Sequence, residues 1–182
     1  MPNRDLSPRR AVYTGSFDPV TLGHLDIIER SARLYDSVIV GIGVNATKST
    51  LFDVDKRLEL LKRVVCHLDN VTVEAFDGLA VEFVRKSKAR VMVRGVRPLT
   101  DIAGEFTMMM ANRQLDSELE TVFLMADEEY AHVSSTLIKQ IAALSGSAAL
   151  NKFVPQEVIL PLLEAMKRQR RDDPSVRGSA DG

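Results

Sequence analysis

The sequence predicts a single doubly wound α/β domain, built on a five-stranded parallel sheet with helices on both faces. Three observations carry that expectation. The chain has 182 residues, long enough for one domain that buries roughly 70% of its unfolded surface and too short for two comfortable ones. Short apolar runs rich in β-branched residues, the mark of strands buried on both faces, recur along it. Between them lie longer stretches whose apolar residues repeat about every 3.6 positions, and that alternation is the pattern of a parallel, doubly wound sheet.

The runs Ala11–Tyr13, Val38–Val44, Val71–Phe76, Arg90–Val93 and Thr121–Ala126 read as strands. Leu22–Leu34 follows the first, with Leu25, Ile28 and Ala32 on one face, and Asp53–Leu68 follows the second, with Leu58, Leu61, Val65 and Leu68 aligned. Leu79–Lys88, Asp101–Leu115 and Ser134–Leu144 share the helical period. Asp53 and Ser134 stand where a short polar side chain accepts a first-turn N–H. A sixth helix, Pro155–Arg168, opens with proline at a tolerated first-turn position. Residues 1–9 are polar and carry Pro2 and Pro8, so the domain is expected to span 10–168, after a flexible N-terminal tail. Residues 169–182 are charged, contain Gly, Ser and Pro, and have almost nothing apolar to pack, which predicts a disordered tail.

Composition removes several function classes. Hydrophobic residues at 45% and charged residues at 27% match an ordinary globular protein. No apolar run approaches the roughly 20 residues that span a bilayer, and the N-terminus lacks the apolar stretch of a secretory signal. The lone Cys66 cannot form an internal disulfide, fits a reducing compartment, and reads as a small hydrophobe within a helix. A net charge of −1 gives no general field for nucleic acid. A cytoplasmic protein with neither membrane nor nucleic-acid partner is expected, its function concentrated in a site.

In a doubly wound sheet, ligands bind outside the carboxyl ends of the strands. The polar residues expected there are Thr14, Gly15, Ser16, Phe17 and Asp18, then His24; Asn45, Thr47 and Lys48; Asp77 and Gly78; Arg94, Gly95 and Arg97; and the stretch from Asp127 to Thr136. Arginine binds phosphate as a planar fork, lysine as a mobile point charge, and a helix N-terminus through uncharged N–H donors. No Ser-His-Asp or Cys-His grouping offers a nucleophile. The set points to phosphoryl or nucleotidyl transfer.

Gly15-Ser16-Phe17-Asp18-Pro19 followed by Thr21-Leu22-Gly23-His24 resembles the T/HxGH signature of the nucleotidylyltransferase superfamily, whose fold is Rossmann-like. Lys48, Arg94-Gly95-Val96-Arg97, Glu105 and Tyr130-Ala131-His132-Val133-Ser134-Ser135-Thr136 occur in the order and spacing of the phosphopantetheine adenylyltransferase family. That resemblance runs from about residue 10 to residue 168. It implies transfer of the adenylyl group of ATP to 4′-phosphopantetheine, giving dephospho-coenzyme A and pyrophosphate in coenzyme A biosynthesis. It also implies Mg²⁺ carried by ATP rather than by protein ligands, a homohexamer, and coenzyme A or its dephospho form as product or feedback ligand.

By position, His24 resembles the family's transition-state stabiliser, and Ser16 the residue that contacts both substrates. Lys48, Ala80 and Arg94 resemble ligands of the pantetheine substrate. Ser16, Phe17, His24, Gly95, Val96, Arg97, Glu105 and the run Tyr130, Ala131, His132, Val133, Ser134, Ser135, Thr136 resemble the ATP site. The family commonly has Phe-Glu-Tyr-Glu where Ile102-Ala103-Gly104-Glu105 stands here, so only the final acid is kept. Two other readings remain: a different small-molecule nucleotidylyltransferase, such as one acting on nicotinate mononucleotide, and a noncatalytic nucleotide sensor on the same fold. Thr21 and Lys139, where the nicotinate enzyme resembles His and Arg, oppose the first; Lys48 with Arg94 opposes the second.

Overall fold

A computed structural model of the chain describes residues 5–45, 49–97, 101–144 and 146–172. Its element order is β1 (Ser7–Gly15), α1 (Leu22–Leu34), β2 (Ser37–Gly43), α2 (Val54–Val64), β3 (Val71–Phe76), α3 (Ala80–Lys86), β4 (Ala89–Val96), α4 (Ile102–Leu115) and β5 (Glu120–Met125). A 3₁₀ turn (Glu128–Tyr130), α5 (Ser135–Leu144), α6 (Ser147–Leu150) and α7 (Gln156–Asp172) complete it. The five strands form one parallel sheet in the order β3-β2-β1-β4-β5. The expected doubly wound Rossmann-like sheet is therefore present, and its strand order reverses between β1 and β4.

Alternation along the central strands divides the core into two layers. Ala11 and Tyr13 of β1 face one side, where Ile27 and Ile28 of α1, Leu60 and Leu61 of α2, Ile138 of α5 and Leu162 of α7 pack. Val12, Ile39 and Met92 face the other, against Val81, Phe83 and Val84 of α3. Burial on both faces is why these strands read as continuous apolar runs.

The element boundaries differ from expectation in a few places. β1 begins at Ser7, within the segment read as a tail: Ser7 N–H donates to the Lys88 carbonyl and Arg9 pairs with Asp36 at 2.6 Å. The register slips between Ser7 and Ala11, which is where a strand tolerates Pro8. α7 continues to Asp172, past the expected end at Arg168. Residues 1–4 and 173–182, the remainder of the two expected tails, lie outside the described residues. α3 stops at Lys86 because Lys88 takes a left-handed backbone, φ 54°, that ends the helix. α2 ends at Val64, so Cys66 is exposed in the turn that follows instead of packed in a helix.

Candidate active site

The strand-order reversal opens a crevice at the carboxyl ends of β1 and β4, where a doubly wound sheet binds its ligands. A cavity of about 290 Å³ occupies it, walled by the ends of these strands and the first turns of α1 and α5. Both helices therefore turn their unpaired N–H groups and positive dipole ends toward this space. Close packing of β4 on α1 depends on Gly95, where a Cβ would stand 2.9 Å from Ile27 Cγ1.

The loop leaving β1 is held from several sides. Asp18 is buried, and its carboxylate accepts the N–H groups of Leu51 and Phe52 at 2.9 Å each and the Lys139 ammonium of α5. Ser135 Oγ donates to the Pro19 carbonyl at 2.9 Å, tying the start of α5 to the same loop. Ser134 Oγ accepts the N–H of Leu137 and so caps α5, as Asp53 caps α2.

Thr21 caps α1 and fixes His24. The Thr21 side chain accepts the His24 N–H at 3.3 Å, and His24 Nδ1 accepts the Thr21 N–H at 3.1 Å. This is a capping box in which imidazole replaces the usual Glu or Gln. A backbone N–H can only donate, so Nδ1 is unprotonated and the neutral ring carries its proton on Nε2. Burial, reinforced by the charges of Arg97 and Arg94, lowers the His24 pKa to about 4. At neutral pH the ring is an uncharged hydrogen-bond donor, packed edge-on to Phe17 with centroids 5.1 Å apart.

Arg94 and Arg97 are both paired. Arg94 donates from Nε and Nη2 to the Glu105 carboxylate at 2.7 and 2.6 Å, and from Nη1 to the Thr14 carbonyl and hydroxyl at 2.9 and 3.1 Å. Arg97 forks onto Asp101 at 2.7 and 2.8 Å. Two carboxylates at the start of α4 thus meet two arginines at the end of β4, and the crevice is less cationic than the sequence alone implies. A second cavity, of about 240 Å³, shares Thr14, Arg94 and Glu105 with the first and continues along Leu79, Ala80, Met108 and Met109.

Sequence comparison places this geometry. The family described as Cytidylyltransferase-like matches residues 12–141. A phosphopantetheine adenylyltransferase of Rhodopirellula baltica is 66% identical over 161 residues, covering 88% of this chain and 89% of that protein. The chain belongs to the phosphopantetheine adenylyltransferase family. Another such protein, from Clostridium perfringens, is 45% identical over 156 residues, with 86% of this chain and 94% of the relative covered. Among solved structures, the nicotinic acid mononucleotide adenylyltransferase of Plasmodium falciparum, complexed with NaAD, matches with a TM-score of 0.63 at 10% identity. That match covers 88% of this chain and 95% of that one, and it is a likeness of fold.

Of the residues the family pattern singles out, Ser16, His24, Arg94, Gly95, Arg97, Glu105, Tyr130, Val133, Ser134 and Ser135 line the first cavity together. Ala80 lines the second. Phe17 and Val96 are buried behind the wall, His132 is exposed with its ring edge against Phe153, Thr136 is exposed, and Ala131 does not line either cavity. Lys48 lies outside the described residues. The departure at Ile102-Ala103-Gly104 does not break α4, which begins at Ile102, and a Cβ at Gly104 would meet nothing within 4 Å.

Asp101 was not among the expected site residues, although it neutralises one of them. Its only sequence signal is an acid four residues after an arginine, a spacing too common to be selective. Arg57, whose Nη1 reaches the Ser16 carbonyl from α2, was also missed. It follows Lys56 in a charged helix start and reads as a surface residue.

Proposed function

We propose that this chain transfers the adenylyl group of ATP to the phosphate of 4′-phosphopantetheine, reversibly, giving dephospho-coenzyme A and pyrophosphate. The observation that carries this reading is the pair of adjoining cavities. The first is bounded by two helix N-termini and a neutral histidine donor; the second is lined by aliphatic and thioether side chains; Arg94 stands where they meet. A polyphosphate and a phosphate bearing a long, weakly polar arm match them in turn.

The acceptor phosphate has a second pKa near 6 and is ionised at neutral pH, so it needs no general base. An acceptor oxygen forms a bond to the α-phosphorus while the bond to pyrophosphate breaks. The barrier is alignment and the repulsion of two anions, which fixed donors relieve. His24 donates from Nε2 to an α-phosphate oxygen, the start of α5 at Ser134 and Ser135 faces the leaving phosphates, and Arg94 meets the acceptor. Mg²⁺ supplies charge neutralisation on the triphosphate when bound. Both carboxylates of the cavity, Glu105 and Asp101, are engaged by arginines, which supports a reading in which the ion would be carried by the nucleotide rather than by a protein cage.

The protein acts in the cytoplasm as a homohexamer, with coenzyme A species as product and feedback ligands. No described helix is long and apolar enough to cross a membrane. Support for self-association comes from α4, a 14-residue helix with no buried residue that exposes Ile102, Phe106 and Met110.

Incubation with ATP, Mg²⁺ and either 4′-phosphopantetheine or nicotinate mononucleotide tests the reading. Pyrophosphate is expected with the first acceptor alone. Release with the nicotinate acceptor alone would reassign the substrate, and release with neither would leave a nucleotide-binding sensor.

A further inference from the structure

Arg57 is a buried cation for which the site described above has no use. It is 4% exposed and sits on α2. Its Nη1 donates to the Ser16 carbonyl at 2.9 Å and, more weakly, to the Gly43 carbonyl at 3.5 Å; Nε reaches the Asp53 carbonyl at 3.4 Å. Among the described residues it has no carboxylate partner, whereas Arg94 and Arg97 each have one. A buried guanidinium met only by neutral carbonyls is costly to fold. Its charge stands directly behind the loop whose front, at Ser16, lines the cavity.

The loop's geometry transmits that contact. The Ser16–Phe17 peptide is trans, so its carbonyl and its N–H point in opposite directions. With the carbonyl held toward α2 by Arg57, the Phe17 N–H is aimed away from α2, and it has no acceptor among the described residues. Phe17 takes a left-handed backbone, φ 48°, a conformation a phenylalanine holds only under constraint. Its ring is locked edge-on between Tyr13, at 5.5 Å, and His24, at 5.1 Å.

We propose that Arg57 is a positioning residue for adenylyl transfer, holding the Ser16–Phe17 peptide so that the Phe17 N–H meets a phosphate oxygen of ATP, with its unpaired charge supporting that anion from behind. The inference rests on the adenylyl-transfer reading. It separates two kinds of arginine at this edge: those neutralised by α4 and one whose charge stays available to the triphosphate.

The test uses the full chain with Arg57→Lys, Arg57→Met and Arg57→Gln, measuring kcat, both KM values and the thermal midpoint. Arg57→Met and Arg57→Gln are expected to lose about 10- to 100-fold in kcat, with the KM for ATP raised and that for phosphopantetheine little changed. Arg57→Lys, which keeps the charge and a donor, restores most of the rate. A folded Met or Gln variant with wild-type kcat overturns the proposal, as does a Lys variant of wild-type midpoint that restores nothing. Should neither neutral variant fold, the wild-type protein decides: its Phe17 amide proton is expected to move downfield on titration with pyrophosphate, and an unmoved resonance overturns the proposal. An inactive wild-type protein would instead remove the adenylyl-transfer reading on which it stands.

Discussion

Arg94 and Glu105 face each other as a bidentate pair, Nε to Oε2 at 2.7 Å and Nη2 to Oε1 at 2.6 Å, across the boundary between the two cavities. With Nη1 donating twice to Thr14, four of the five guanidinium N–H groups are occupied among the described residues, and the fifth, on Nη2, has no described acceptor. Arg94 is therefore a fixed wall group, and in the proposed reaction it presents a single donor direction to the acceptor phosphate. Arg94→Ala is expected to raise the KM for phosphopantetheine about 10-fold or more, the loss of one charge-assisted contact, and that for ATP far less. Equal changes in both Michaelis constants would contradict the assignment.

His24 is held as a neutral donor, and this fixes the sign of two pH effects. Its folded pKa, about 4, lies below the ordinary value of 6.5. Between these values the unfolded chain binds a proton that the folded chain refuses, so the His24 contribution makes stability rise with pH across about 4 to 6.5 and leaves it flat above. In the proposed reaction an acid limb of turnover near pH 6 is expected from the acceptor phosphate and not from the imidazole. Nitrogen-15 spectra are expected to show the Nε2-protonated neutral ring from pH 8 down to about 5; a doubly protonated ring at pH 6 would contradict this.

His24→Ala removes the donor but keeps the backbone N–H that the Thr21 side chain accepts, so α1 stays capped and only the Thr21 N–H loses its Nδ1 acceptor. The expected result is a folded protein with kcat lowered about 10²- to 10³-fold, the usual loss for one oxyanion donor. Unchanged turnover would take His24 out of the mechanism.

The sheet was legible because burial on both faces makes each strand an unbroken apolar run, and the first cavity because glycine, histidine and hydroxyl residues concentrate at strand ends. What escaped is pairing between separated elements. Glu105 and Arg94 were both expected at the site, but as ligands of different substrates, since a separation of 11 residues across a loop carries no signal of contact. Arg57 escaped because its partners are backbone carbonyls, which look alike in every sequence. Ser7 to Arg9 escaped because Pro8 and two flanking polar residues imitate a tail where the strand register slips.

Asp18 shows what the loop behind the cavity costs to disturb. Its side chain is 6% exposed and binds two backbone N–H groups and Lys139, whose own side chain is 31% exposed. Asp18→Asn turns an amide donor toward donors and leaves the ammonium unpaired. A loss near the lower end of the range for broken buried pairs, about 3 kcal/mol, is expected. For a chain of this length that lowers the midpoint by about 6 to 12 °C, measurable by calorimetry. A shift under about 2 °C would mean the loop is held elsewhere.

α4, counted from its N-cap, carries both two carboxylates of the site and an exposed apolar face. One side of its start supplies Asp101 and Glu105 to the two arginines, while Ile102, Phe106 and Met110, spaced four apart, are 51%, 54% and 45% exposed. Most helical stability comes from burying an apolar face, and α4 has none buried within the chain. If a second copy covers this face, it also steadies the carboxylates that orient Arg94 and Arg97. Phe106→Glu is then expected to reduce the mass measured by light scattering from that of a hexamer and, in the same preparation, to raise the KM for phosphopantetheine. A dissociated variant with unaltered kinetics would separate assembly from the site; a hexamer with unaltered mass would move the interface to another face of the domain.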